Sequence, residues 1–226
     1  IAVETHAKFL VATEDNHAVN WYNLGETYGT FGDFGFDGPL SQYPIFKEVD
    51  GFKALSFDGD DWLKMDLKAP EGISDQDFSV EVWAFNPSVE ENETLISWAM
   101  PQDREHGISL NYGTNQENGA IMYGKALNKG YGKDIPEAGK WHHLVLTYNG
   151  NNGGTETLYV DGKEVFSRSV ELNLSKEGTI YLGCDGEQKN HFSGALAAVR
   201  IHKGTLSGKQ VVANHQGGID LPETIG

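Results

Sequence analysis

The stretch from Lys140 to Val165, KWHHLVLTYNGNNGGTETLYVDGKEV, constrains the fold more than any other part of the chain. Within it WHHLVLTY alternates. Trp141, His143, Val145 and Thr147 fall on one side, and His142, Leu144, Leu146 and Tyr148 on the other. That is the two-residue period of a strand. Asn149 to Gly154 (NGNNGG) is a turn built from residues that tolerate positive φ. TLYV starts a second strand, and Asp161-Gly162 is the dipeptide that most strongly marks a tight hairpin. KEVF then returns as a third strand, so the stretch predicts an antiparallel meander.

Similar runs recur along the chain at close spacing. Lys8–Ala12 (KFLVA) is a short apolar run consistent with a strand. Phe52 to Met65 (FKALSFDGDDWLKM) reads as a hairpin turning at Asp58-Gly59-Asp60-Asp61. Asp77 to Phe85 (DFSVEVWAF) sets Phe78, Val80, Val82 and Ala84 on one face, and Ser79, Glu81, Trp83 and Phe85 on the other. Thr94–Met100, Gly107–Tyr112, Ala120–Tyr123, Thr179–Leu182 and Phe192–His202 supply further strands. Thr205–Gln216 is the one helical candidate, opening at Leu206-Ser207 with Val211, Val212 and His215 on one stripe. About a dozen short strands with almost no helix predict an all-β fold. The expected architecture is an antiparallel β-sandwich, or jelly roll, of two sheets with one short C-terminal helix. At 226 residues the chain fits a single domain over 1–226, with no internal boundary or repeat.

Charge narrows the partners. A net charge of −16 disfavours nucleic acid and anionic membranes. Mean hydropathy is −0.44, and no apolar run is long enough to predict membrane insertion. Neutral polymers, cations and small polar ligands stay open. Cys184 is the only cysteine, so no internal disulfide forms and cysteine usage does not set the compartment. The chain starts at Ile1 without a basic-then-apolar leader, which reads as a processed or excised domain. Gly25 to Gly38 is rich in glycine and aromatics. There Phe31, Phe34 and Phe36 either cap one end of the core or serve binding from a long loop.

Four segments resemble the laminin-G-like branch of the concanavalin A-like lectin/glucanase superfamily. They are ALSFDGDDWLKM, DFSVEVWAF, GKWHHLVLTYNG with LYVDGKEV, and FSGALAAVRIHKGTLSGKQVVAN. The resemblance runs from about Gly51 to Asn214 in the family's order, and the first fifty residues depart from it. It implies a two-sheet jelly roll, commonly with a structural Ca²⁺, binding glycans or proteins as a module of a larger secreted or cell-surface protein. It does not imply one ligand, because this fold hosts lectins, adhesion modules and glycosidases.

The residues themselves favour binding over catalysis. A glycosidase needs two carboxylates flanking one bond, and Glu81 stands alone on its strand, so no residue is assigned a catalytic role. His142 and His143 are adjacent on a strand and point to opposite faces, so they cannot ligate one ion. A sugar surface combines aromatic rings with carboxylates, amides and imidazoles. On that basis Glu81, Trp83, Asn111 and His143 are expected on an open sheet face, with Ser109 beside them and Arg200 close by. Trp98, His106, Tyr112, Tyr123 and Tyr131 are expected at its rim. Asp58, Asp60 and Asp61 form either an ordinary acidic turn or a Ca²⁺ site of hard oxygen ligands. The reading is therefore a non-catalytic, lectin-like module for a polysaccharide or glycan, outside the cell. A protein-interaction module would instead show a contiguous apolar patch, and a glycoside hydrolase would bring a second carboxylate to Glu81.

Overall fold

The computed structural model describes residues 8–10, 20–23, 34–35, 40–68, 76–100, 103–112, 119–124, 128–175 and 177–219. In chain order the strands begin with β1 (Lys8–Leu10), β2 (Asn20–Asn23), β3 (Phe34–Gly35), β4 (Ile45–Val49) and β5 (Phe52–Asp58). They continue with β6 (Leu63–Lys68), β7 (Phe78–Phe85), β8 (Thr94–Met100), β9 (Asp103–Asn111) and β10 (Ile121–Tyr123). The last five are β11 (Trp141–Asn149), β12 (Thr155–Val160), β13 (Lys163–Ser169), β14 (Thr179–Leu182) and β15 (Ser193–Lys203), followed by the helix α1 (Gly208–Gly217). Of the Gly-aromatic stretch only Phe34–Gly35 is described, as β3, so the expectation for Phe31 and Phe36 lies outside the described residues.

Two antiparallel sheets face each other, as expected of a jelly roll. The larger runs β1-β2-β15-β7-β11-β12-β13, with β5 also pairing β15 and β4 pairing β5. The smaller runs β10-β9-β8-β14-β6-β3. The meander of β11, β12 and β13 forms as the sequence predicts. Its Asp161-Gly162 turn holds both residues at positive φ, 51° and 77°, which matches the twist of the flanking strands.

Alternation decides what fills the space between the sheets. Phe78, Val80 and Val82 of β7 face inward beside Leu144 and Leu146 of β11 and Val199 and Ile201 of β15. From the other sheet come Ile96 and Trp98, Ile108 and Leu110, and Ile180 and Leu182. Trp98 meets Phe78 edge-on at 5.4 Å between ring centres.

The expected hairpin at 52–65 does not form. β5 belongs to the larger sheet and β6 to the smaller, so Asp58–Trp62 is a corner that carries the chain from one sheet to the other. Acidic glycine-containing turns serve hairpins and corners alike, which is why the two look the same in sequence. The helix begins where a capping box places it. Ser207 accepts from the Gln210 backbone N–H, and the Gln210 side chain bonds back to the cap.

Candidate functional site

The outer face of the larger sheet carries the residues that resemble a sugar site. Register places Glu81 beside Val145 on one side and Arg200 on the other, with His143 opposite Trp83 and His202 opposite Ser79. Parity is thus as expected: Glu81, Trp83, His143 and Arg200 share the face opposite Phe78. The expectation that this face is open is wrong. Glu81 and His143 are 0% exposed, Arg200 is 2% and Trp83 is 7%.

Helix α1 and the segments around it supply the cover. Val211 is buried with Val145 and Leu206, and Ile219 packs with Trp83, Ala195 and Ala198. Asn214 donates its amide to Glu81 Oε1 at 2.9 Å. His215 stacks on Trp83 at 5.7 Å and on His143 at 5.8 Å. His143 Nε2 donates to Glu81 Oε1 at 2.9 Å, and His202 Nε2 donates to Oε2 at 2.5 Å. Burial opposes the Glu81 charge. The hydrogen bonds from His143 and His202 and the nearby Arg200 guanidinium outweigh it, holding the carboxyl well below the usual carboxylate range. Burial draws Arg200 down to about 10, against the pull of Glu81, so it stays charged at neutral pH. A buried charge persists only when paired and hydrogen-bonded; the Glu81 carboxylate takes bonds from His143, His202 and Asn214, while Trp83 Nε1 and the Nδ1 atoms of His143 and His202 are buried without a hydrogen-bond partner among the described residues.

The other expected ligand residues, His106 apart, are buried too. Trp98 lies between the sheets, 1% exposed. Asn111, on β9, belongs to the smaller sheet and is fully buried, so it does not join Glu81. Parity along one strand does not say which sheet the strand enters. The tyrosines tie loops down instead of rimming a face. Tyr112 donates to the Glu137 carbonyl at 3.0 Å, and Tyr131 donates to the Asn111 carbonyl at 2.7 Å. Tyr123 accepts from the Asn173 backbone N–H at 2.8 Å. His106 is partly exposed and pairs with Asp103 at 2.8 Å. The second histidine of the pair, His142, points to the opposite face from His143 and is also buried. Its Nδ1 donates to Asp161 at 2.7 Å and its Nε2 to the Glu137 carbonyl at 3.0 Å.

An open cleft of about 170 Å³ lies on the outer face of the smaller sheet. Its depth comes from side-chain size. Across the strands the outer row reads Tyr181, Ser97, Ser109, Met122, each register partner of the next. Two serines between larger neighbours leave a depression, floored with Gly107 and edged by Met122 and Gly124. The facing wall is the loop from Asp185 to Asn190.

Hydrogen bonds fix that loop. Asp185 Oδ1 accepts from the backbone N–H groups of Glu187 and Lys189, and Oδ2 accepts from the Asn190 amide at 2.7 Å. Ser97 donates to the Cys184 carbonyl at 3.0 Å, anchoring the loop to the cleft floor. Gly183 starts the loop at φ 77°, where a Cβ would meet the Phe57 ring at 2.4 Å and the Asp61 carbonyl at 3.1 Å. None of these residues except Ser109 carried a sequence expectation, because serines, glycines and a polar loop have no distinctive pattern.

The acidic corner adjoins this loop. One carboxylate oxygen each from Asp58, Asp60 and Asp61 lies within 4.8 Å of the others. Asp61 is buried, and burial, with the charges of Asp58 and Asp60, pushes its carboxyl up to about 6. His191 connects the corner to the cleft wall, meeting the Asp61 carbonyl at 3.3 Å and the Gln188 carbonyl at 2.9 Å. Three crowded hard-oxygen donors, one of them buried against its own charge, are a donor set that fits a calcium-type cation.

A family model described as concanavalin A-like lectin/glucanases superfamily matches residues 57–212. No curated protein sequence matches the chain. Solved structures share the fold at low identity. Domain 4 of AbnA, a GH43 extracellular arabinanase from Geobacillus stearothermophilus in complex with arabinotriose, is 22% identical. It superposes with a TM-score of 0.66 over 92% of this chain and 98% of that one. The CBM40 of Ruminococcus gnavus IT-sialidase, bound to α2,3-sialyllactose, is 12% identical with a TM-score of 0.57, over 76% and 97%. The native heptameric SAP-like pentraxin from Limulus polyphemus is 16% identical with a TM-score of 0.55, over 86% and 87%.

Proposed function

This chain belongs to the concanavalin A-like lectin/glucanases superfamily, and from that premise we propose that it is a non-catalytic carbohydrate-binding module. Its site, in this reading, is the cleft on the outer face of the smaller sheet. The observation that carries the proposal is an open cleft, bordered by charged and amide side chains, whose wall is already fixed by its own hydrogen bonds. A preorganised site loses less entropy on binding. Ser109, Glu187, Lys189 and Asn190 bring hydroxyl, carboxylate, ammonium and amide to one cleft, the groups that hydrogen-bond sugar hydroxyls. The saccharide complexes formed by two structures of the same fold support the choice of ligand class.

The rival readings fit less well. The exposed large apolar side chains among the described residues are three, Ile45, Ile135 and Val212, each on a separate segment. A protein-docking face would group them. A glycosidase would need two carboxylates facing one bond, whereas Asp185 spends both its oxygens on its own loop. We assign Ca²⁺ to Asp58, Asp60 and Asp61, where it would offset most of the corner's negative charge and stiffen the cleft wall through His191. The module would act outside the cell as part of a larger protein, concentrating its partner domains at a glycan.

Affinity electrophoresis through gels containing soluble polysaccharides, with and without EGTA, tests this. At least one carbohydrate should retard the protein, less so with EGTA, and Ser109→Tyr should abolish retardation while keeping the circular-dichroism spectrum. Equal mobility of wild type and Ser109→Tyr in every gel would reject the cleft as the site.

A further inference from the structure

We infer that the cleft takes a single uncharged glycosyl unit, presented at a chain end or a branch, and discriminates against sugars that carry a carboxylate. This rests on the carbohydrate reading and adds the ligand's size, polarity and charge.

Size comes from the cleft itself. About 170 Å³ is well below the roughly 300–1,000 Å³ of pockets that enclose drug-sized ligands. The serine pair bounds the depression on the sheet side, with Met122 at one edge and the Asp185–Asn190 loop facing it. The loop wall is pinned and does not retreat without breaking the Asp185 hydrogen bonds. One sugar ring fits in that space, and the next residue of a chain has to leave it.

Polarity comes from what lines it. No aromatic side chain is among the lining residues, and Ile108 and Met122 are the larger apolar ones. The described lining residues offer no flat stacking platform of the kind that holds crystalline polysaccharides, so affinity comes from hydrogen bonds to hydroxyls. Glu187 and Lys189 pair at 3.2 Å at its edge, offering an acceptor and a donor side by side. A hydroxyl-bearing ring both donates and accepts, so one neutral unit satisfies both partners.

Charge comes from the balance of the lining groups. Asp185 and Glu187 against Lys189 leave −2 + 1 = −1 at the cleft, on a chain of net charge −16. A uronate or sialate brings its own carboxylate into that field. Like charges at close range are unfavourable and cost part of the ion's hydration as well.

Isothermal titration calorimetry on the whole chain tests all three. The probes are mono- to hexasaccharides of arabinose, xylose, glucose, galactose and mannose, with glucuronate, galacturonate oligomers, and lactose against sialyllactose. Microcrystalline cellulose is added in a pull-down. The expected result is affinity that reaches its plateau by the disaccharide, at least about tenfold weaker binding of the carboxylated partner in each pair, and no cellulose retention. Glu187→Lys changes the cleft balance from −1 to +1 at a partly exposed residue, and should remove or reverse the preference for the uncharged partner. Affinity that climbs through the hexasaccharide, or equal binding of glucuronate and glucose, overturns this inference and leaves the carbohydrate reading standing. No binding of any probe by the wild type removes the carbohydrate reading and this inference together.

Discussion

The two outer faces of the sandwich use opposite materials. On the larger sheet the outer row is bulky and ionisable, with Glu81, Trp83, His143, Arg200 and His202, and a helix covers it. On the smaller sheet the corresponding row centres on Ser97 and Ser109, which are themselves buried, at the bottom of a cleft that opens between Met122 and the Asp185–Asn190 loop. A carboxylate among imidazoles and an indole resembles a recognition surface in sequence. The same groups serve a buried polar layer, because a buried carboxylate requires donors and Glu81 finds them in His143, His202 and Asn214. A cleft needs room, and room comes from small side chains. The richer chemistry therefore marks the sealed face, and the plainer one marks the accessible face.

Glu81→Ala should separate the faces most sharply. It removes the acceptor shared by His143, His202 and Asn214, and with it the negative charge that acts on the buried Arg200. Breaking a buried ion pair from one side costs about 3–5 kcal/mol, so urea unfolding should show a large fall in midpoint. Carbohydrate affinity of the folded fraction should not change. A loss of affinity greater than the loss of folded protein would mean that the covered face takes part in binding.

Gly183→Ala should be next, and should affect both stability and binding. A non-glycine residue at φ 77° is strained by about 1–3 kcal/mol, and its Cβ would press into the Phe57 ring. The residue lies between the core and the cleft wall, so the loop must shift. Thermal melts and titrations should both report the change, in contrast to Glu81→Ala.

Asp61→Asn should be smaller and of opposite sign. Asp61 has its folded pKa raised to about 6, above its unfolded value. A raised carboxyl contributes stability fully below the unfolded pKa of about 3.9 and loses it as pH rises through the folded value. At pH 7.5 without a divalent cation the ionised corner is therefore a liability, and the amide relieves it. Asn retains an oxygen to accept from the Asp58 backbone N–H, as Asp61 does at 2.8 Å. The variant should melt above the wild type in EGTA by a margin that disappears near pH 4. It should also lose most of the upward shift that Ca²⁺ gives the wild type. A wild-type melt indifferent to Ca²⁺ would leave the corner as an ordinary turn.

Much of this architecture is legible in the sequence, and the gaps have physical causes. Alternation reports faces, so Phe78 against Glu81 and Leu144 against His143 sort correctly. Turn chemistry at Asp161-Gly162 and the cap at Ser207 locate a hairpin and a helix start. Alternation does not report partners. Nothing in FKALSFDGDDWLKM separates a hairpin from a corner, because the pairing of β5 with β15 is made by residues far along the chain. Cover is equally hidden. Helix α1 has a weak apolar stripe, with Val211 buried and Val212 exposed, and its grip on the sheet uses Asn214 and His215, which look like surface residues. The cleft is invisible until register aligns Ser97 with Ser109, because its signal is the absence of bulk on two strands at once.

The adjacent histidines offer the finest test, since one strand sends His143 to the sealed outer face and His142 toward the inner side. Both nitrogens of His142 face acceptors, Asp161 and the Glu137 carbonyl, so the surroundings favour the protonated ring. Burial alone would lower its pKa, but the Asp161 hydrogen bond and charge raise it. Burial likewise opposes the Asp161 charge, and its bonds to the His142 ring and the His143 backbone hold its pKa down. A raised histidine gives stability that is complete below its unfolded pKa of about 6.5 and fades as pH rises through the folded value. A depressed aspartate gives stability that is complete above about 3.9 and fades as pH falls through the folded value. The pair therefore contributes most between those limits, by about 1 kcal/mol or less for a partly exposed ion pair. Urea unfolding of wild type and His142→Gln should differ more at pH 5.5 than at pH 8.5. The same comparison for His215→Gln should run the other way. Burial lowers the His215 pKa, so its protonation works against the helix that covers the sheet. An equal gap for His142→Gln at both pH values would show that the ring acts by packing and not by charge, and that the Asp161 turn is held by its backbone bond to His143 alone.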